Sequence, residues 1–426
     1  MSGAFFMPAA RFLDALRRAD WLNGERGRVY SLMGLVAFLL MALWFWLRFA
    51  VFVPGPDPLG GDFTSFYAAS KLALAGHPAD AWNPAAHALA EDSLFRGPHD
   101  YLAFFYPPPY LLLCWPLALL PYGWAALGWM TGTAALALGL LRAFFRRVRP
   151  EGPMPLVVML AFPALWINIG CGQNGAVTLA ILTGGFLMMD RRPIVAGLIL
   201  GVMVIKPQLA IGLPFVLGGA ALAEPKRWKT FLATGFGALA LCGVAWLAVG
   251  TAGYAAFFAN SAYAREVLNQ GLVDPALMQS LYAGLRMLGA SMTTAYATQG
   301  ALSLTVLVLA GYTAFRYRPT GLALGALTIS ATVLATPFLL DYDLLVTALP
   351  LGWLVLTGAK DGFRNWEKLC LLLVFLFPLA ARKLALVAHL PMAPLLLLIV
   401  FAFVIRRIRS AETEPAALPA ASACAA

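Results

Sequence analysis

The chain has 426 residues, of which 61% are hydrophobic and 12% charged, with a mean hydropathy of +0.78. That composition excludes an ordinary soluble domain, in which about a quarter of residues are charged. The formal net charge of +10 sits in short basic clusters between apolar runs, the pattern of loops that orient a membrane protein, so nucleic-acid binding is excluded as well.

Continuous apolar runs, without strand-like alternation, predict an all-α polytopic membrane protein, because only helices and closed barrels satisfy the backbone in lipid. Residues 1–30 form a basic segment with Arg11, Arg17, Arg18, Arg26 and Arg28, expected to be cytoplasmic. Phe12, Leu13 and Leu16 beside Arg17 and Arg18 predict a helix lying on the membrane surface. The run 31–53 is the first span, and the lack of a small-residue cleavage site predicts that it stays as an anchor.

Residues 54–105 are expected to form a long first loop on the outer face, with short helices at 64–75 and 84–95 split by Gly76-His77-Pro78. Gly60 and Gly61 let the chain turn there. Asp62 stands where it can cap the first helix or act as a base. Tyr106 to Pro109 reads as fixed extended chain. The apolar piece 110–120 has about eleven residues where a span needs roughly twenty, so it is predicted to be re-entrant.

Placing every later basic cluster in the cytoplasm gives about twelve spans with both termini cytoplasmic, a second outer loop at 250–291 and a disordered Ala-rich tail at 410–426. The same topology sends Asp62, Gln173, Asn174, Lys206, Asp274, Asp341, Asp343, Arg382 and Lys383 to the outer face without having used them. Polar groups at membrane depth are costly and mark a cavity or a site. Lys206, Arg382 and Lys383 are candidates to hold a phosphate, with simple interfacial anchoring as the plainer alternative. Gln173 and Asn174 either bond sugar hydroxyls or cap the next helix. Asp341 and Asp343 either serve the site or complement a helix dipole, and Asp274 is placed near an acceptor groove. His77, His87 and His99 match no compact ligand spacing, and the five scattered cysteines form no metal or disulfide pattern, so no metal is expected.

Taken in order, Gly61-Asp62-Phe63, Tyr67-Ala68-Ala69, Tyr106-Pro107-Pro108, Gly172-Gln173-Asn174, Lys206-Pro207, Thr336-Pro337 and Asp341-Tyr342-Asp343 resemble glycosyltransferase family 87. These are membrane enzymes of the GT-C class, similar to polyprenyl-phosphomannose-dependent mannosyltransferases. The resemblance implies a catalytic transmembrane domain over 31–409 and a bacterial plasma membrane location. It implies a hexose donor on polyprenyl phosphate, mannose in the relatives named, a glycolipid or glycan acceptor, and no cofactor. The acid of the first outer loop is the general base in such enzymes, which falls on Asp62. Tyr67, within the first motif, joins Gln173, Asn174, Asp341 and Asp343 as a candidate sugar or acceptor ligand. Two rivals remain. A transporter or flippase for a lipid-linked sugar is disfavoured by the absence of a charged pair mid-span and of an internal repeat. A ligase or polymerase using undecaprenyl diphosphate is expected to carry a larger, more basic outer loop.

Overall fold

The computed structural model describes residues 9–47, 60–95, 99–269, 275–389 and 391–413. Among these residues all regular structure is helical, apart from one isolated antiparallel bridge between Met278 and Leu340. The Ala-rich tail beyond 413, Asp274 and residues 48–59 lie outside the described residues.

Among the described residues, six helices are long and apolar enough to cross a membrane: Gly24–Trp44, Tyr122–Val148, Pro225–Ala264, Met292–Tyr317, Asp341–Asp361 and Glu367–Val387. Five further apolar helices are shorter, among them Gly175–Met188 and Gly321–Ala335. The expected count of about twelve spans is therefore not reproduced. Gly321–Ala335 has 15 residues and rises only about 22 Å, against roughly 30 Å of hydrocarbon. Hydropathy alone does not separate a helix in lipid from one wrapped by other helices, and all of Gly321–Ala335 except Leu322 is buried.

The stretch expected as the second outer loop begins as helix. Trp228–Asn269 stays helical past the expected exit, bending at Gly250, where φ is +68°. A left-handed residue of this kind costs glycine little, and the Ala-rich stretch beyond it restarts the helix.

Close approach of small residues joins the short helices to the long ones, as expected where lipid removes most of the hydrophobic drive between helices. Gly197 and Gly201 lie one turn apart on helix Pro193–Gly201. A Cβ on Gly197 would fall 2.5 Å from the Thr230 carbonyl, and one on Gly201 would fall 2.7 Å from the Thr234 carbonyl. The long helix meanwhile turns Leu232, Phe236, Leu239 and Leu247 outward, an apolar face suited to lipid.

One end of the molecule is tied by charge. Arg227 pairs with Asp190 at 2.6 Å, Asp190 also accepts from the Gly321 backbone N–H at 3.0 Å, and Arg407 pairs with Glu367 at 2.5 Å. Helix Ala9–Arg18 forms as expected, exposes Phe12 and Leu13, and meets this end through the Trp366 N–H to the Arg17 carbonyl. Gly175–Met188 ends and Gly321–Ala335 begins here, and both span the distance to the opposite end. There, breaks at 172–174, 206 and 336–340 interrupt the helices. Irregular backbone at such depth is tolerated where protein surrounds it or a cavity is lined.

The first-loop helices form at Phe63–Leu74 and Pro84–Asp92, separated at Gly76, where φ is +85°. Asn83 caps the second, its side-chain oxygen accepting from Ala85 N–H at 3.1 Å. The piece after Tyr106 makes helix Pro108–Cys114 and a 3₁₀ turn at Leu117–Leu119, too short to cross.

Candidate active site

The site begins with the turn at Gly60 and Gly61, whose φ values are +93° and +37°. The turn docks on the break after helix Pro163–Cys171, where the Asp62 N–H donates to the Cys171 carbonyl at 3.1 Å. Gly172 makes that contact possible. Its φ is +67°, and a Cβ there would sit 2.3 Å from the Gly60 carbonyl oxygen and 2.8 Å from Phe63 Cβ. Trp129 fixes the same residue by donating Nε1–H to its carbonyl at 3.1 Å. Gly172→Ala is expected to cost about 1–3 kcal/mol of stability through backbone strain and displacement of the Asp62 turn. Gly170→Ala, where nothing lies within 4 Å, is the control. Equal thermal midpoints for the two purified variants would show that the close approach is dispensable.

Asp62 occupies the capping position of helix Phe63–Leu74, yet its side chain makes no capping hydrogen bond. Instead Gln173 Nε2–H donates to Asp62 Oδ2 at 2.8 Å. No hydrogen bond among the described residues reaches Oδ1. Asp62 is half-buried, and burial is the largest influence on its carboxyl, pushing its pKa above the usual carboxylate range. Gln173 acts in the opposite sense, Asp341 adds to the rise, and the charges of Arg382 and Lys206 offset part of it.

Around Asp62 the breaks converge. Gln173 Oε1 accepts from the Tyr106 hydroxyl at 3.0 Å and from the Asn174 N–H at 3.2 Å. Asn174 Oδ1 accepts from Lys206 Nζ at 2.7 Å, and Lys206 Nζ also donates to Asp343 Oδ1 at 2.5 Å. Asp341 pairs with Arg382 and accepts from the Tyr342 N–H at 2.8 Å. Arg382 also stands close to Cys171, whose carbonyl holds the Asp62 N–H. The structure thus gathers Asp62, Gln173, Asn174, Lys206, Asp341, Asp343 and Arg382 at one end of the bundle.

Their individual settings differ from the expectations. Lys206 is 1% exposed and sits 5.0 Å from the centre of the Tyr342 ring, so it is an internal ion-pair partner, not an interfacial lysine. Asp343 is also 1% exposed and lies at the start of Asp341–Asp361, so the Lys206–Asp343 pair stands at a helix end and not mid-span. Arg382 keeps 47% of its side chain exposed despite its partner, while Lys383 is exposed. Tyr67 is not part of the cluster. Its ring packs on Phe63 and Tyr122, and its hydroxyl donates to the Leu120 carbonyl at 2.9 Å, since five residues along the helix turn it into the aromatic core.

Tyr106 is the residue the sequence reading missed. Its signal was present, a tyrosine at the loop exit beside two prolines, but it was read only as a chain stiffener. The loop histidines go elsewhere. His87 is buried, takes the Ser65 carbonyl at 3.0 Å on Nε2, and has its pKa pushed down to about 4 by burial. Beside it, burial pushes Glu91 up to about 7. Among the described residues no three His, Cys, Asp or Glu side chains come together as a metal-ligand set.

Comparison with known proteins supplies the family. The model of glycosyltransferase family 87 matches residues 104–337, more than half of the chain. The match includes Tyr106, Gln173, Asn174 and Lys206, while Asp62 precedes it and Asp341 follows it. No curated protein and no solved structure matches the chain.

Proposed function

The chain belongs to glycosyltransferase family 87, and from that premise we propose that it moves a hexose from a polyprenyl-phosphate donor to a hydroxyl of a glycolipid or glycan, with inversion, on the extracytoplasmic face of a bacterial plasma membrane. The observation that carries this reading is that a carboxylate, Asp62, and a half-exposed cation, Arg382, are gathered in one cluster at one end of an apolar bundle. Asp62 offers Oδ1 to an incoming hydroxyl, and Arg382 offers charge to a phosphate.

In the step, the acceptor oxygen forms a bond to the anomeric carbon as the bond from that carbon to the phosphate oxygen breaks. The hydroxyl proton passes to Asp62, and the electron pair of the broken bond leaves with the lipid phosphate. A positioned base of this kind contributes about 10²–10⁴-fold. One carboxylate suffices, because the phosphate leaves without a general acid. Attack opposite the leaving group turns a β-linked donor into an α-linked product. Arg382 stabilises the charge that grows on the departing phosphate, as fixed cations do best in a water-poor site. Lys206 neutralises Asp343 behind the sugar site. Mannose is the first donor to test because of the family's relatives.

The test is sugar transfer by purified protein in detergent, with a lipid extract of the native membrane as acceptor. Labelled polyprenyl-phosphate-mannose, polyprenyl-phosphate-glucose and a nucleotide-mannose are supplied in separate arms. Label is expected in a lipid or glycan product from one lipid-phosphate donor and none from the nucleotide sugar. Transfer from the nucleotide sugar alone would overturn the donor class.

A further inference from the structure

We infer that Gln173 is a positioning residue for the base: a sugar ligand it is not, because its amide is locked so that Asp62 stays an acceptor on Oδ2 and takes the acceptor's proton on Oδ1. This rests on the reading of Asp62 as the base and assigns the role of the residue beside it.

The argument turns on which end of the Gln173 amide faces which neighbour. A carboxamide oxygen only accepts and its nitrogen only donates, so the surrounding partners fix the orientation. The partner that decides it is a backbone group. Asn174 N–H can only donate, and it lies 3.2 Å from the atom assigned as Oε1. That end must therefore be oxygen. The Tyr106 hydroxyl, at 3.0 Å from the same oxygen, then acts as a second donor. With its oxygen taken, Gln173 presents N–H to Asp62 Oδ2 at 2.8 Å.

Two consequences follow for Asp62. A donor fixed on Oδ2 favours the unprotonated form of that oxygen, because a hydroxyl oxygen accepts more weakly than a carboxylate oxygen, so protonation is directed to Oδ1. A hydrogen bond to the ionised form also favours that form, countering the burial around it. Tyr106 contributes from one residue further out, since donation to Oε1 polarises the amide and strengthens its N–H toward the carboxylate. Gln173 itself is 7% exposed. A residue so enclosed, with its oxygen doubly occupied, has one N–H left for any other purpose.

The experiment compares wild type with Gln173→Leu, Gln173→Glu and Tyr106→Phe by two measurements. The first is carbodiimide labelling of the Asp62 carboxyl across pH, quantified by mass spectrometry, which reads the carboxyl's titration without turnover. The second is the pH profile of kcat/KM for sugar transfer. Gln173→Leu is expected to raise the Asp62 labelling midpoint by about one pH unit, the scale of one lost hydrogen bond to a charged group. The acid limb of the pH profile is expected to move with it, and kcat to fall by more than KM changes. Gln173→Glu places a second carboxyl beside Asp62, so the pair shares a proton and the midpoint rises further. Tyr106→Phe, which keeps the ring packing, shifts it in the same direction by less.

An unchanged labelling midpoint in both Gln173→Leu and Tyr106→Phe would overturn the inference. So would a raised KM for donor or acceptor with an unmoved acid limb, which is the signature of a sugar ligand. If Gln173→Leu fails to fold, Gln173→Glu and Tyr106→Phe still decide the matter. If labelling shifts as expected in a wild type and variants that all lack transfer, the control of the Asp62 carboxyl by Gln173 stands while the proposed reaction, and with it the role of Asp62 as its base, fails.

Discussion

Asp62→Asn is expected to lower sugar transfer by about 10²–10⁴-fold, the range for removing a positioned general base, while leaving the fold intact. The amide is nearly isosteric, and its oxygen can still accept from Gln173 Nε2, so the turn at Gly60 and Gly61 keeps its docking on Cys171. What is lost is the ability to take a proton. The pH dependence gives a second, independent reading of the same residue. A base must be ionised to work, so the rate falls as pH drops through the pKa of Asp62. Burial raises that pKa, and the acid limb of the wild-type profile is therefore expected above the ordinary carboxylate range. Transfer in Asp62→Asn at wild-type rate, with an unmoved limb, would remove this carboxylate from the mechanism. Thermal midpoints and gel filtration of both proteins separate loss of chemistry from loss of structure.

Much of this arrangement was legible in the chain. Paired glycines, then Asp62, then a run without Pro or Gly marked the start of helix Phe63–Leu74 to within one residue, and Gly76-His77-Pro78 marked its end. Sorting basic clusters to one side placed Asp62, Gln173, Asn174, Lys206, Asp341, Asp343 and Arg382 together before any contact was known. What the chain withheld was pairing. Lys206 and Asp343 are separated by 137 positions, and no local pattern says which acid answers which base. The periodicity of an apolar helix is equally mute about its neighbours. Gly321–Ala335 is apolar because protein buries all of it but Leu322, yet it reads as a membrane span. Gly250 failed in the other direction, since a glycine that ends many helices here bends one that continues. Tyr67 was misplaced because a motif names residues without saying which way a helix turns them.

The buried ion pair yields the other large effect. Lys206→Met is expected to destabilise the protein by about 3–5 kcal/mol, because Asp343 is left charged and enclosed without its partner. Asp343→Leu alone is expected to cost a comparable amount by stranding Lys206, which would keep only Asn174. The double variant Lys206→Met/Asp343→Leu removes both charges and fills similar volume. Replacing a buried pair in this way is often neutral, so the stability of the double variant is expected to return near wild type, with a strongly non-additive cycle. Thermal unfolding in detergent measures all four proteins. Additive losses would mean that the 2.5 Å contact contributes little and that each residue is held by other neighbours. Activity of the double variant then separates two roles for Lys206. If the lysine only neutralises Asp343, transfer returns along with stability, and Arg382 is left as the cation that meets the phosphate. If the stable double variant stays inactive with a raised KM for the lipid-phosphate donor, then Lys206 contacts the phosphate itself, through the one N–H that neither Asn174 nor Asp343 occupies.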